Sequence, residues 1–250
     1  MIAMMGLCLV STTLSAAASK DSEEPAAQSA EPVRVLLITG GHDFERQPFF
    51  EMFSAMPGIS WKEIVQPEAN KHYTTAAVKD YDVIVLYDFV QDITEEQKTN
   101  LARVLREEGK GLVGLHHCLA NYQKWPEFLQ ILGGRYYMEK MKEGGEEREP
   151  STYDHDQRFT VEVVDPNHPI TKGMSNFEIQ DETYGLFYVR PEVTPLLRVQ
   201  HPKSGPVIGW AHNYGKAHVA YIQLGHDHTA YTNPHYRQLV LSAIRWAAKK

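Results

Sequence analysis

Twelve histidines in 250 residues give this sequence its chemical character, because most of them stand beside acids and glycines in a few short motifs. Imidazole ionises near neutrality, so it serves equally as a proton carrier and as a metal ligand. In GGHDF (residues 40–44), two glycines mark a place where the backbone turns tightly or approaches a ligand, with His42 and Asp43 facing it. The plain alternative makes Asp43 a helix N-cap. GLHHC (114–118) has the outline of a nucleophile elbow, with His116 where serine or cysteine would stand. His116 there suits a general base or a metal ligand, with His117 beside it. Cys118, two residues on, reads as a small buried hydrophobe before it reads as a nucleophile. YDHDQR (153–158) flanks His155 with two acids. DETYG (181–185) offers Asp181, Glu182 and Tyr184, and carboxylates there could orient a histidine, ligate a metal or grip sugar hydroxyls. In LGHDHTAYTNP (224–234), His226 and His228 are two apart and would share a face in extended chain. There is no H-E-x-x-H and no cysteine-based zinc pattern. A divalent cation such as zinc therefore rests on clustered histidines, with His116, His155 and His226 as its ligands.

These residues need strand ends to hold them. VRVLLIT (33–39) is a near-continuous apolar run opening on Gly40-Gly41, which suits a buried parallel strand. Residues 45–55 read as a helix stopped by Pro57-Gly58. DVIVLYD (82–88) is a second buried strand, ending on Asp88. A helix begins at Thr94 with Gln97 completing a capping box, buries Leu101, Val104 and Leu105, and closes at Gly109. A third buried strand, 111–115, runs into His116. Alternation of this kind implies a doubly wound, mostly parallel sheet with helices on both faces. RFTVEVV and TPLLRVQ read as short alternating strands, VIGWAHNYGKAHVAYIQLG as an antiparallel hairpin turning at 213–216, and 234–248 as a final helix. Ligands of such sheets sit outside the carboxyl ends of the strands. His42 and Asp43, Asp88, His116 and His117, and His226 to His228 all follow strand ends. Of Tyr122, Trp125, Tyr136 and Tyr137, near the elbow, one or two would stack on a sugar ring. Residues 139–149 (EKMKEGGEERE) read as a solvated loop that could act as a lid.

A hydrophobic fraction of 42% with 23% charged residues is soluble-globular composition and excludes a disordered chain. A net charge of -7 argues against a nucleic-acid groove or an anionic membrane surface as partner. Two cysteines, Cys8 and Cys118, make no disulfide framework. Residues 1–18 read as a signal peptide, apolar and ending in Ala16-Ala17-Ala18, though without a positive n-region. Residues 19–32 read as a Glu/Ala/Ser/Pro linker, and no other run is long and apolar enough to span a bilayer. The expectation is an exported chain, periplasmic or secreted, with one domain over 33–250.

The motifs GGHDF, GLHH, W-P-E-F…LGG (125–134), HPIT, DETYG and YGKAHVAYIQLGH occur in this order, and together they resemble the trehalose-utilisation (ThuA-like) family of the class I glutamine amidotransferase-like superfamily. The resemblance covers residue 33 to the C-terminus. It implies a flavodoxin-like α/β fold, and, with His116 at the elbow instead of cysteine, no glutamine hydrolysis. It also implies a small-molecule carbohydrate as partner, in catabolism that oxidises a disaccharide or glycoside to a 3-keto sugar and then processes it. His42, Asp43, His116, His155, Asp181, Glu182, Tyr184 and His226 match the family's polar motifs. The expected activity is isomerisation, elimination or hydrolysis of a keto sugar or its glycoside. His116, His155, Asp181, Glu182 and His226 would do the chemistry, and His42, Asp43, Asp88, His117, Tyr184 and His228 would hold the substrate. Two other classes remain open: a non-catalytic sugar-binding module, and a hydrolase using Cys118.

Overall fold

A computed structural model describes residue 2 and residues 31–249. The signal peptide and nearly all of the linker expected from the sequence lie outside the described residues.

In chain order the elements are β1 (Val33–Gly40), α1 (Arg46–Ser54), β2 (Ile59–Val65), β3 (Val83–Asp88), α2 (Glu95–Arg106), β4 (Gly111–Leu115), α3 (Pro126–Leu132), β5 (Gly134–Arg135), β6 (Met141–Glu143), β7 (Glu146–Arg148), β8 (Thr152–Val163), β9 (Phe177–Gly185), β10 (Tyr188–Val189), β11 (Thr194–Val199), β12 (Val207–Tyr214), β13 (Ala217–Ile222), α4 (His228–Thr232) and α5 (Pro234–Ala247). Nine strands form one mixed sheet in the order β2-β1-β3-β4-β13-β12-β11-β8-β9. The first five are parallel, and β12, β11, β8 and β9 continue the sheet antiparallel. This is the α/β sheet expected from the strand-helix alternation.

Side-chain alternation explains why the first strand reads as unbroken apolar sequence. Val35 and Leu37 of β1 pack in a core with α1 and α5 (Phe49, Phe53, Leu239, Ile244). Leu36 and Ile38 pack in the opposite core with α2 and α3 (Leu101, Leu105, Phe128, Ile131). A strand covered on both faces needs apolar residues at every position. The expected capping box is present, with Gln97 N donating to the Thr94 hydroxyl and Gln97 Oε1 accepting from Thr94 N.

Four segments take shapes that the sequence pattern did not mark. Residues 59–65 form a strand, β2, whose alternation at the sheet edge gave a weaker signal than the buried runs. YDHDQR lies within β8, and DETYG is the end of β9, so neither is a loop or turn. Both strands carry polar residues on a face that points into the site. The run 139–149 contains the two-stranded hairpin β6–β7 turning at Gly144-Gly145.

Candidate active site

The tight turn out of β4 comes first. His116 has φ 50°, a left-handed conformation uncommon for a side-chain-bearing residue and suited to a sharp turn, and the chain then enters a short 3-10 turn. The ring is buried, with Nδ1 2.7 Å from the Gln223 carbonyl oxygen. A carbonyl only accepts, so Nδ1 carries a proton and Nε2 faces the site. Around Nε2 converge Tyr184 Oη at 3.0 Å, Glu182 Oε2 at 3.0 Å and His226 Nδ1 at 3.3 Å.

Glu182 is the centre of the cluster. Its Oε2 is also 3.4 Å from His226 Nδ1, and its Oε1 is 3.1 Å from His155 Nδ1. Among the described residues, all its ion-pair partners are histidines. Burial pushes the Glu182 carboxyl up, but the hydrogen bonds of His116 and His226 outweigh it and hold the group well below the usual carboxylate range. The same hydrogen bond to Glu182 raises His226 above the ordinary imidazole value against its desolvation.

Two features of the antiparallel arm bring these side chains across the sheet. Asp181 accepts backbone N–H bonds from Gly225 (2.7 Å), His226 (3.0 Å) and Glu182 (2.8 Å), fastening β9 to the loop after β13. Gln223 Nε2 donates to the Glu182 carbonyl at 2.7 Å. Gly225 fits this junction because a Cβ there would meet Tyr236 Oη at 2.2 Å, and its φ is +114°. In β8, pairing with β9 slips between Asp154 and Gln157, where Asp156 takes φ 56°. Bulges re-aim side chains, and this one delivers His155 to Glu182 and to the His226 ring at 4.7 Å.

Glu182, Tyr184, His155 and His226 line a cavity of about 530 Å³ with His42, Phe89, His117, Ala120, Tyr136, Met138 and Tyr153. That volume suits a small organic ligand. His116 stands behind this wall, so it acts through its neighbours. Of the four aromatics near the elbow, Tyr136 faces the cavity, whereas Tyr122, Trp125 and Tyr137 are buried packing. Phe89, Met138 and Tyr153 are lining residues that the sequence did not single out; only their place after a strand or beside His155 marks them.

Five expected residues lie elsewhere. Asp181 is a backbone clamp. His228 does not share a face with His226, because Asp227 N-caps α4 and turns the chain, and His228 pairs with Glu45. Asp43 is exposed and does not cap α1; the N-cap position belongs to Glu45. Asp88 is fully buried, bonded by Gln66 (2.9 Å) and Asn121 (2.7 Å), with burial raising its carboxyl to about 6. Cys118 is buried away from the cavity wall, and burial pushes its thiol well above its ordinary value, which leaves no accessible thiolate.

The donor set His116 Nε2, Glu182 Oε2 and His226 Nδ1 fits a divalent cation. Its separations of 3.0, 3.3 and 3.4 Å lie near the roughly 3.4 Å expected between ligand atoms about 2.1 Å from a tetrahedral ion. The Gln223 carbonyl provides the outer hydrogen bond that fixes a ligating imidazole. Among the described residues this candidate donor set contains Glu182 with His116 and His226, while His155 Nδ1 faces the other carboxylate oxygen of Glu182.

A family model described as ThuA, trehalose utilisation, matches residues 34–247. Among solved structures, a ThuA-like protein from Parabacteroides merdae aligns at TM-score 0.73 and 19% identity, over 87% of this chain and 90% of that one. A ThuA-like protein from Bacteroides uniformis aligns at 0.65 and 21%, over 90% and 95%. At these identities the likeness shows the fold. No curated protein matches the chain.

Proposed function

The chain belongs to the trehalose-utilisation (ThuA) family, and on that premise we propose that it is an enzyme that removes a proton beside the carbonyl of a keto sugar or its glycoside. That step is shared by isomerisation and by elimination of the glycosidic substituent. The observation that carries the reading is the pair His116 Nε2 and Glu182 Oε2, 3.0 Å apart and buried at the back of a cavity. With Nδ1 donating to Gln223, a neutral His116 would oppose two acceptors at that distance, so a proton or a cation stands between them.

A keto group acidifies its neighbouring C–H, so the reaction needs a base at that proton and positive charge at the carbonyl oxygen. His155 Nδ1 beside Glu182 Oε1 leaves Nε2 as the proton acceptor, in a carboxylate-imidazole arrangement that fixes the tautomer. Tyr184 and His226 also stand against the Glu182 carboxylate as donors. A divalent cation held by His116, Glu182 and His226 would polarise the carbonyl. Asp181 holds His226 by its backbone, and His116 holds the carboxylate.

Two assays test this. Metal analysis by mass spectrometry, on protein purified without affinity metal, is expected to find about one divalent ion per chain in the wild type and none in His116→Asn. His155→Gln is expected to keep the ion and lose exchange of the α-proton of a 3-keto glucoside in D2O. Saturable sugar binding without exchange or turnover of any keto sugar would make the chain a binding module instead. The apolar leader supports export: a chain exported by a bacterium is expected to begin at Ser19, and an unprocessed chain retained inside the cell would contradict it.

A further inference from the structure

Two more histidines on the cavity wall have no part in that chemistry, and their hydrogen bonds define what they recognise. His42 Nδ1 lies 2.7 Å from the Asp43 carbonyl oxygen, so this nitrogen carries the proton and Nε2 presents a lone pair. His117 bonds the Tyr87 backbone through its other ring nitrogen, and its Nε2 is buried without a partner. The two rings stack at 4.8 Å with 25° between their planes, and the Tyr87 ring, 4.5 Å from His117, holds the inner one in place. His117 is buried, so no solvent reaches round to satisfy its bare Nε2. A buried acceptor left unpaired is costly, and a donor on an incoming ligand would recover that cost.

We infer that His42 and His117 form a paired acceptor subsite for two adjacent hydroxyl groups of a pyranose. The inference rests on the carbohydrate reading above and deepens it. Two bare acceptors one ring-stack apart match two neighbouring hydroxyls, each donating over about 2.8 Å. Phe89, edge-on to His42 at 6.2 Å on the same wall, offers the apolar surface that the C–H face of a sugar ring needs.

Calorimetric binding of methyl glucoside, which lacks the ketone and is not turned over, tests this, alongside its monodeoxy analogues and methyl 3-keto-glucoside. In the wild type, removing either of two adjacent hydroxyls is expected to weaken binding about tenfold. In His42→Phe and His117→Phe the parent sugar is expected to weaken by the same factor, and those deoxy analogues to lose little more. Variants that bind the parent as tightly as the wild type, or that retain the full deoxy penalty, overturn the subsite. A wild type that binds none of these sugars overturns the carbohydrate reading itself and the subsite with it. His42 lies on an exposed turn, so His42→Phe decides the matter even where His117→Phe unfolds.

Discussion

At φ 50°, His116 holds a conformation that costs most residues about 1–2 kcal/mol and asparagine less. His116→Asn therefore keeps the elbow while removing the ring that organises Glu182. The expected outcome is a fall of at least a hundredfold in turnover with a melting point a few degrees lower; unchanged turnover would remove His116 from the site. Asp88 gives a separate, electrostatic prediction. Burial raises its carboxyl from 3.8 to about 6, against the opposing bonds of Gln66 and Asn121. Between pH 4 and 6 the folded chain keeps a proton that the unfolded chain has lost, so this group's contribution to stability falls as pH rises through that window. The loss amounts to something on the order of 3 kcal/mol. Urea unfolding of Asp88→Asn across pH 4–7 is expected to lack that decline, and identical wild-type and variant profiles would contradict it. Residue types at strand ends were legible because such positions seldom need histidine for packing; His116 and His226 meet for that reason. His228 was not, because two-residue spacing only shares a face in extended chain, and Asp227 starts a helix there.

Elements decide whether those residues meet. The Asp181 carboxylate joins β9 to the loop after β13 by two backbone bonds, from Gly225 and His226, and accepts a third from Glu182 within β9. Asp181→Ala would leave three N–H groups without an acceptor, at about 1–3 kcal/mol each where buried. It is expected to lose several kcal/mol in urea unfolding and to speed amide exchange at residues 225 and 226; wild-type protection there would show that the clamp is dispensable. Gly225→Ala is expected to disturb the same junction, since the new Cβ would collide with Tyr236. The parallel half of the sheet was readable as apolar runs between capped helices. The arm was less so. Strands β8 and β9 are half polar because they supply His155, Glu182 and Tyr184 to the cavity, and that polarity reads as loop or turn. A one-residue slip in pairing, which no local pattern announces, aims His155.

In the molecule as a whole, the parallel sheet brings His42, His117 and His226 to its carboxyl edge, and the antiparallel arm closes a cavity over them. The compact unit begins at Glu31. A chain beginning at Glu31 is accordingly expected to unfold cooperatively at the same temperature as the full chain; a clear loss of melting temperature would mean that the preceding residues support the fold. Family membership was legible from motif order. That Glu182 stands between His116, His226 and His155 was not, because it depends on where β9 crosses the strand ends. Proton removal beside a sugar ketone at the His116–Glu182 cluster is measured directly by proton NMR of a 3-keto glucoside in D2O. Loss of the α-proton signal with the wild type, and its persistence with His116→Asn and His155→Gln, is the predicted result. Persistence with the wild type, or equal loss with all three proteins, would contradict it.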